Sequence, residues 1–218
     1  MGDIKKAYQS SQNIYDDTLT HSKWWSRLYN SLFWGGVNDI EIANCVLNWI
    51  PDAFSGKLLD VPVGTAVFTY KKYEALRHAD ITCLDYSEDM LRLAQKRFKD
   101  MNLSNITCVQ GDVGNLKFED KTFDILLSMN GFHAFPDKTA AFQETARVLK
   151  PGGCFCGCFY IEGKNKRTDF IVRSLLAKKG WFTPPFQTLE ELEYTLHGLY
   201  SKVELFHNQS IAYFQCVK

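Results

Sequence analysis

Three aspartates close three successive strand-like runs: Asp60 after Lys57-Leu58-Leu59, Asp85 after Ile81-Thr82-Cys83-Leu84, and Asp112 just past Ile106-Thr107-Cys108-Val109. A carboxylate beside buried strands is costly unless something polar meets it, so three in register imply a shared ligand. Asp60 runs into Val61-Pro62-Val63-Gly64-Thr65-Ala66, a turn whose small residues let backbone amides approach that ligand closely. Gly64 precedes Asp85 by 21 residues, close to the roughly 20 between a glycine turn and the acid that binds ribose hydroxyls. Asp112, inside Gln110-Gly111-Asp112-Val113, stands at the next strand end, where an adenine amino group needs an acceptor. Together the three acids point to a nucleoside-type cofactor. Taken singly, Asp60 and Asp112 equally suit helix caps or turn acceptors.

Such a trio needs a sheet to align it. The pattern predicts a helix from Asp39 to about Trp49, stopped by Pro51, and then an alternation. Strands are expected at 57–61, 81–84, 106–109, 123–129 and 154–161, the last after a Pro151-Gly152-Gly153 turn. Helices are expected at 65–78, 87–100 and 137–149. Strand-helix alternation means a parallel sheet covered by helices on both faces. In such a sheet ligands bind outside the carboxyl ends of the strands where strand order reverses, and strand 57–61 is the natural candidate. After helical segments near 166–179 and 188–199, the runs Lys202 to His207 and Ser210 to Val217 are separated only by Asn208-Gln209. So short a link holds no parallel crossover, hence an antiparallel hairpin is expected.

The balance of charge removes other classes. The 218 residues carry 25 Lys plus Arg against 25 Asp plus Glu, so no global field draws in nucleic acid or anionic lipid. No run of about 18 apolar residues is present for a membrane span, and the opening Met1-Gly2-Asp3-Ile4-Lys5-Lys6 lacks an apolar signal core. Seven cysteines, with Cys45, Cys83 and Cys108 at positions that read as buried, suggest free thiols and a cytoplasmic location. Cys154, Cys156 and Cys158 alternate along one strand and share a face. Metal sites draw converging ligands from turns, so packing is the expected role of these thiols.

The turn after Asp60 argues against a dinucleotide. Where a pyrophosphate-binding turn has three glycines, this chain has Pro62, Gly64 and Val67, and proline lacks the amide a phosphate would use. The chain resembles the class I S-adenosylmethionine-dependent methyltransferases, in particular the small-molecule branch that includes the ubiquinone and menaquinone methylases. Four segments carry the resemblance: Leu58 to Ala66, Ile81 to Met90 (ITCLDYSEDM), Gln110 to Val113, and Ala146-Arg147-Val148-Leu149-Lys150-Pro151-Gly152-Gly153. It covers about residues 55–160 and departs from the family pattern at Pro62 and Ala66, which replace glycines.

The resemblance implies a Rossmann-like, doubly wound α/β fold with a mostly parallel seven-stranded sheet ending in the antiparallel hairpin. It implies S-adenosyl-L-methionine as cofactor, held by Asp60 and Gly64 at the methionine part, Asp85 at the ribose, and Asp112 with Val113 at the adenine, with Val61 and Pro62 also among the cofactor-binding residues. Tyr86 and Met129 would flank the rings or the sulfonium end, and Tyr29 would close over the cofactor from the N-terminal segment. His133 follows the fourth strand and is the candidate general base, while Phe132 and Tyr160 are candidates for the substrate pocket. One domain spanning 1–218 is expected, with residues 1–36 as a lid and 162–200 as a substrate cover in which Phe170, Trp181, Phe182, Phe186 and Tyr194 line an apolar site. Transfer of a methyl group to a small molecule is the expected activity. A nicotinamide-dependent oxidoreductase, a binding protein that keeps the fold without catalysis, and an RNA methylase are the rival readings.

Overall fold

The structure is a computed structural model and describes residues 39–218. Leu58 and Leu59 illustrate how the sheet forms: neighbours in sequence, both fully buried, they sit in apolar clusters on opposite faces of the same strand. That two-sided burial is what a parallel strand covered by helices requires. The strands are β1 (Lys57–Asp60), β2 (Asp80–Asp85), β3 (Ile106–Gln110), β4 (Phe123–Met129), β5 (Leu149–Tyr160), β6 (Lys202–Asn208) and β7 (Ile211–Val217). They form one sheet in the order β3-β2-β1-β4-β5-β7-β6. Pairing is parallel from β3 through β5, whereas β7 lies antiparallel to both β5 and β6. Strand order reverses between β1 and β4, so the carboxyl ends of these strands frame the place where a ligand fits.

Helices α1 (Asp39–Asn48), α2 (Tyr70–Ala75) and α3 (Glu88–Asp100) cover one face of the sheet. Helices α4 (Lys138–Val148) and α6 (Leu189–Leu199) cover the other. Between β5 and α6 lies α5 (Lys166–Ile171), which continues into a π turn over Val172–Leu176. Ser87 caps α3 by accepting from the Met90 amide, and Thr188 with Glu191 forms a complete capping box on α6.

Three expectations change. The helix expected over 65–78 shrinks to α2, because left-handed backbone at Gly64 (φ 56°) and Ala66 (φ 58°) breaks the helical path, which resumes only after Thr69. The Pro151-Gly152-Gly153 turn lies inside β5: Phe123 faces Leu149 and Ile125 faces Cys154, so residues 150–153 bulge out with Gly152 at φ 76°. Cys45 is exposed and Cys108 half-buried, while Cys83 is buried as expected. Cys156 and Cys158 share the α1–α3 face and Cys154 packs against it, in agreement with their alternation. Among the described residues no helix is long and apolar enough to cross a membrane.

Candidate functional site

A cleft of about 330 Å³ opens at the carboxyl ends of β1 to β4. Asp60, Val61, Pro62, Gly64, Asp85, Tyr86, Asp112, Val113 and Met129 all line it, so nine of the ten residues implied for the cofactor converge on one cavity. The tenth, Tyr29, and the lid expected over 1–36 lie outside the described residues.

At the floor, Asp60 is fully buried. Its Oδ2 accepts a hydrogen bond from the Tyr73 hydroxyl at 2.5 Å. Its Oδ1 is buried with no partner among the described residues. Burial pushes the Asp60 carboxyl up to about 7, against the downward pull of the Tyr73 and neighbouring Thr69 hydroxyls, and the nearby Asp85 charge adds to the rise. An orphaned buried carboxylate oxygen is expensive, and a cationic or hydrogen-bond-donating ligand group in the cleft would satisfy it.

Asp85 ties the first turn to the second. Its Oδ2 accepts from the Gly64 amide at 2.8 Å and its Oδ1 from the Ser87 amide at 2.9 Å. Each oxygen keeps a lone pair for a further donor, which is what a pair of vicinal hydroxyls needs. Burial raises this carboxyl to about 6, while the backbone amides pull it back. A Cβ placed on Gly64 meets nothing within 4 Å, so the backbone there is bare toward the cleft. Asp112 is exposed, and its Oδ1 accepts from the Gly114 amide at 2.8 Å. It therefore caps the short 3-10 turn Val113–Asn115, and the capping role and a place at the cleft coexist. Tyr86, 46% exposed, forms an open rim, whereas Val61, Val113 and Met129 are buried apolar walls.

The opposite wall begins in the segment after β4 and extends beyond it into α4. It consists of Asn130, Gly131, Ala134, Phe135, Pro136, Asp137 and Ala140, from the β4–α4 connection and the first turn of α4. Pro62 packs against this wall so closely that a Cβ on Gly131 would stand 2.1 Å from its Cδ. Proline at position 62 and glycine at position 131 are thus a matched pair. The sequence signal available was the N-cap: Asp137 accepts from the Ala140 amide, which fixes the start of α4 beside the cleft.

His133, Phe132 and Tyr160 do not line this cleft. Phe132 is fully buried, packed against Phe135, Phe142, Phe155 and Phe159 in the core beneath α4. The buried His133 ring stacks on Phe182 at 4.0 Å, and its Nδ1 accepts from the Tyr160 amide at 3.4 Å. Burial and the adjacent Lys138 charge lower its pKa to about 3, so the imidazole is neutral. The Tyr160 hydroxyl donates to Asp169 at 2.7 Å. His133 and Tyr160 hold the segment after β5 against the cleft wall. Thr183 adds to the attachment, its amide donating to the His133 carbonyl and its hydroxyl to that of Ala134. Lys138 completes it, donating to the Phe135 and Thr183 carbonyls at 3.1 and 2.7 Å. Of the aromatics expected over an apolar site, Phe182 is buried in this junction, whereas Phe170 and Tyr194 are 72% and 85% exposed.

Residues 58–153 match the profile of a family described as a methyltransferase domain. Over 98 residues the chain is 45% identical to a demethylmenaquinone methyltransferase of Staphylococcus haemolyticus, covering 44% of this chain and 40% of that protein. An uncharacterized chloroplastic methyltransferase of Arabidopsis thaliana is 30% identical over 154 residues, covering 69% and 43% of the two chains. The chain thus spans about two fifths of the length of these curated relatives. The solved structure of an S-adenosylmethionine-dependent methyltransferase from Thermotoga maritima, described as a possible histamine N-methyltransferase, matches over 99% of both chains with a TM-score of 0.69 and 17% identity. That last likeness is one of fold.

Proposed function

We propose that the chain is a class I S-adenosylmethionine-dependent methyltransferase that moves a methyl group from S-adenosylmethionine to a small organic acceptor. The observation that carries the reading is the pairing at the cleft floor of an orphaned Asp60 oxygen with Asp85, whose two oxygens are already oriented by the Gly64 and Ser87 amides. This donor set fits the cofactor. Asp60 and the bare Gly64 backbone suit its ammonium-bearing methionine part, Asp85 its ribose hydroxyls, and Asp112 with Val113 its adenine. No pyrophosphate cradle accompanies the ribose acid, since Pro62 has no amide to give, and this counts against a dinucleotide.

Bound S-adenosylmethionine supplies a methyl group on a positively charged sulfur, already activated for in-line displacement. The protein's task is then alignment and exclusion of water. Val61, Val113 and Met129 keep the cleft walls apolar, and Pro62 against Gly131 fixes the distance between its two sides. We assign no general base. His133 is neutral, buried and turned into the junction with Phe182, so its part is to hold the cleft wall in place. The segment 162–200 is the proposed substrate cover, and its attachment through Phe182, Thr183 and Lys138 sets how closely an acceptor can approach. The relative's name supports an acceptor of quinone-precursor size, and the equal numbers of acidic and basic residues favour a small molecule over nucleic acid. Incubation with methyl-labelled S-adenosylmethionine and a small-molecule metabolite extract tests the proposal: label should appear in a low-molecular-weight product. Label only in RNA, or in nothing, would refute it.

A further inference from the structure

Basic residues are concentrated in one short stretch of this neutral chain. Between Gly163 and Trp181 stand Lys164, Lys166, Arg167, Arg173, Lys178 and Lys179 against the single acid Asp169. Lys164 pairs with Glu190 and Arg173 with Glu162. Lys166, Arg167 and Lys178 are exposed and make no ion pair among the described residues, and Lys179 lies over the Trp181 ring. The helical stretch from α5 through the π turn turns Thr168, Val172 and Leu176 inward. Its outward side carries Phe170, 72% exposed, and Leu175, 45% exposed. On α5, Phe170 follows Lys166 and Arg167 by four and three residues and precedes Arg173 by three, so three of its four helical neighbours are cations. Large apolar side chains left in water and ringed by cations match a surface that is apolar inside and anionic outside.

We propose that the outward face of residues 164–181 docks onto an anionic lipid surface, with Phe170 and Leu175 entering the acyl boundary and Lys166, Arg167, Lys178 and Lys179 meeting the headgroups. Charge complementarity selects this occupant: four cations without acidic partners among the described residues flank the two apolar side chains in sequence, and no acid other than Asp169 lies in the segment. The segment leaves the carboxyl end of β5 and returns to the cleft wall at Thr183, so a docked molecule would hold its cleft side toward the lipid.

The test is sedimentation of the full chain with vesicles of phosphatidylcholine alone and of phosphatidylcholine mixed equally with phosphatidylglycerol. Binding is expected to the mixed vesicles only and to fall steeply between about 0.1 and 1 M salt, as the screening length shrinks from about 10 to 3 Å. Each basic residue near an anionic surface is worth about a fivefold gain in partitioning, so Lys166→Gln with Arg167→Gln should weaken binding about thirtyfold. Phe170→Ser with Leu175→Ser should abolish binding at unchanged charge. Both pairs are exposed positions, and an unchanged thermal midpoint would show that the variants fold. The proposal is overturned by wild-type protein that ignores the mixed vesicles, or by undiminished binding of the serine variant. It is also overturned if that variant melts lower or loses self-association, since the face is then covered by protein, or if the face binds an RNA oligomer while ignoring vesicles.

Discussion

Ala66 stands where a glycine would be easier. At φ 58° its Cβ costs roughly 1–2 kcal/mol, but the freedom a glycine gains in the unfolded chain and the loss of a buried methyl worth about 0.8 kcal/mol largely cancel the relief on removing it. Ala66→Gly should therefore shift stability by less than about 1 kcal/mol in urea unfolding, and a loss above about 2 kcal/mol would mean the turn is not left-handed in solution. Asp60 and Asp85 carry a pH signature. Both folded-state carboxyls are raised from 3.8, to about 7 and about 6, chiefly by burial, so the free protein keeps a proton on Asp60 up to neutrality and on Asp85 only in mildly acid solution. Two consequences follow in sign. Their contribution to the free protein's stability falls as pH rises from about 4 through 7, and a ligand whose ammonium group and hydroxyls need them ionised binds better over the same rise. Calorimetry of S-adenosylhomocysteine binding should show affinity climbing from pH 5.5 to 8 with proton release near pH 6.5, and Asp60→Asn should flatten that climb. The acids were legible because a carboxylate at a strand end leaves a trace in sequence. The Tyr73 bond to Asp60 left none, since it depends on where a six-residue helix comes to rest.

At the scale of elements, connection lengths and alternation were enough to read the sheet. The two-residue link Asn208-Gln209 dictated the hairpin, and β6 and β7 pair as it requires. Helix α2 was misjudged because side-chain periodicity says nothing of left-handed backbone at Gly64 and Ala66, which postpones the helix to Tyr70. Phe132, His133 and Tyr160, expected on the substrate side, lie outside the cleft for a related reason. Following a strand end places a residue near a cleft without saying which side of the wall it faces. Here the wall turns all three toward the segment after β5 or into the core. That gives a test of the junction. Phe182→Ala removes the ring from His133 and should cost about 3 kcal/mol. Because the junction lies behind the cleft wall, the variant should raise the KM for the acceptor while S-adenosylhomocysteine affinity changes less than threefold. An unchanged acceptor KM would sever this segment from substrate binding.

For the whole molecule, the sheet order β3-β2-β1-β4-β5-β7-β6 and the cleft at its reversal point are common ground for several chemistries, so fold alone does not choose among them. The choice rests on the cleft's contents: a ribose-type acid fixed by two amides, an unsatisfied carboxylate oxygen where a cation would sit, and a proline where a phosphate would need an amide. One titration addresses that choice directly. Calorimetry of S-adenosylhomocysteine and of NAD against the full chain and its Asp85→Asn variant should show micromolar binding of the first and none of the second. The substitution should weaken binding at least about tenfold, the loss expected when charge-assisted hydrogen bonds are removed. Tighter binding of NAD, or S-adenosylhomocysteine binding that Asp85→Asn leaves unchanged, would contradict the account.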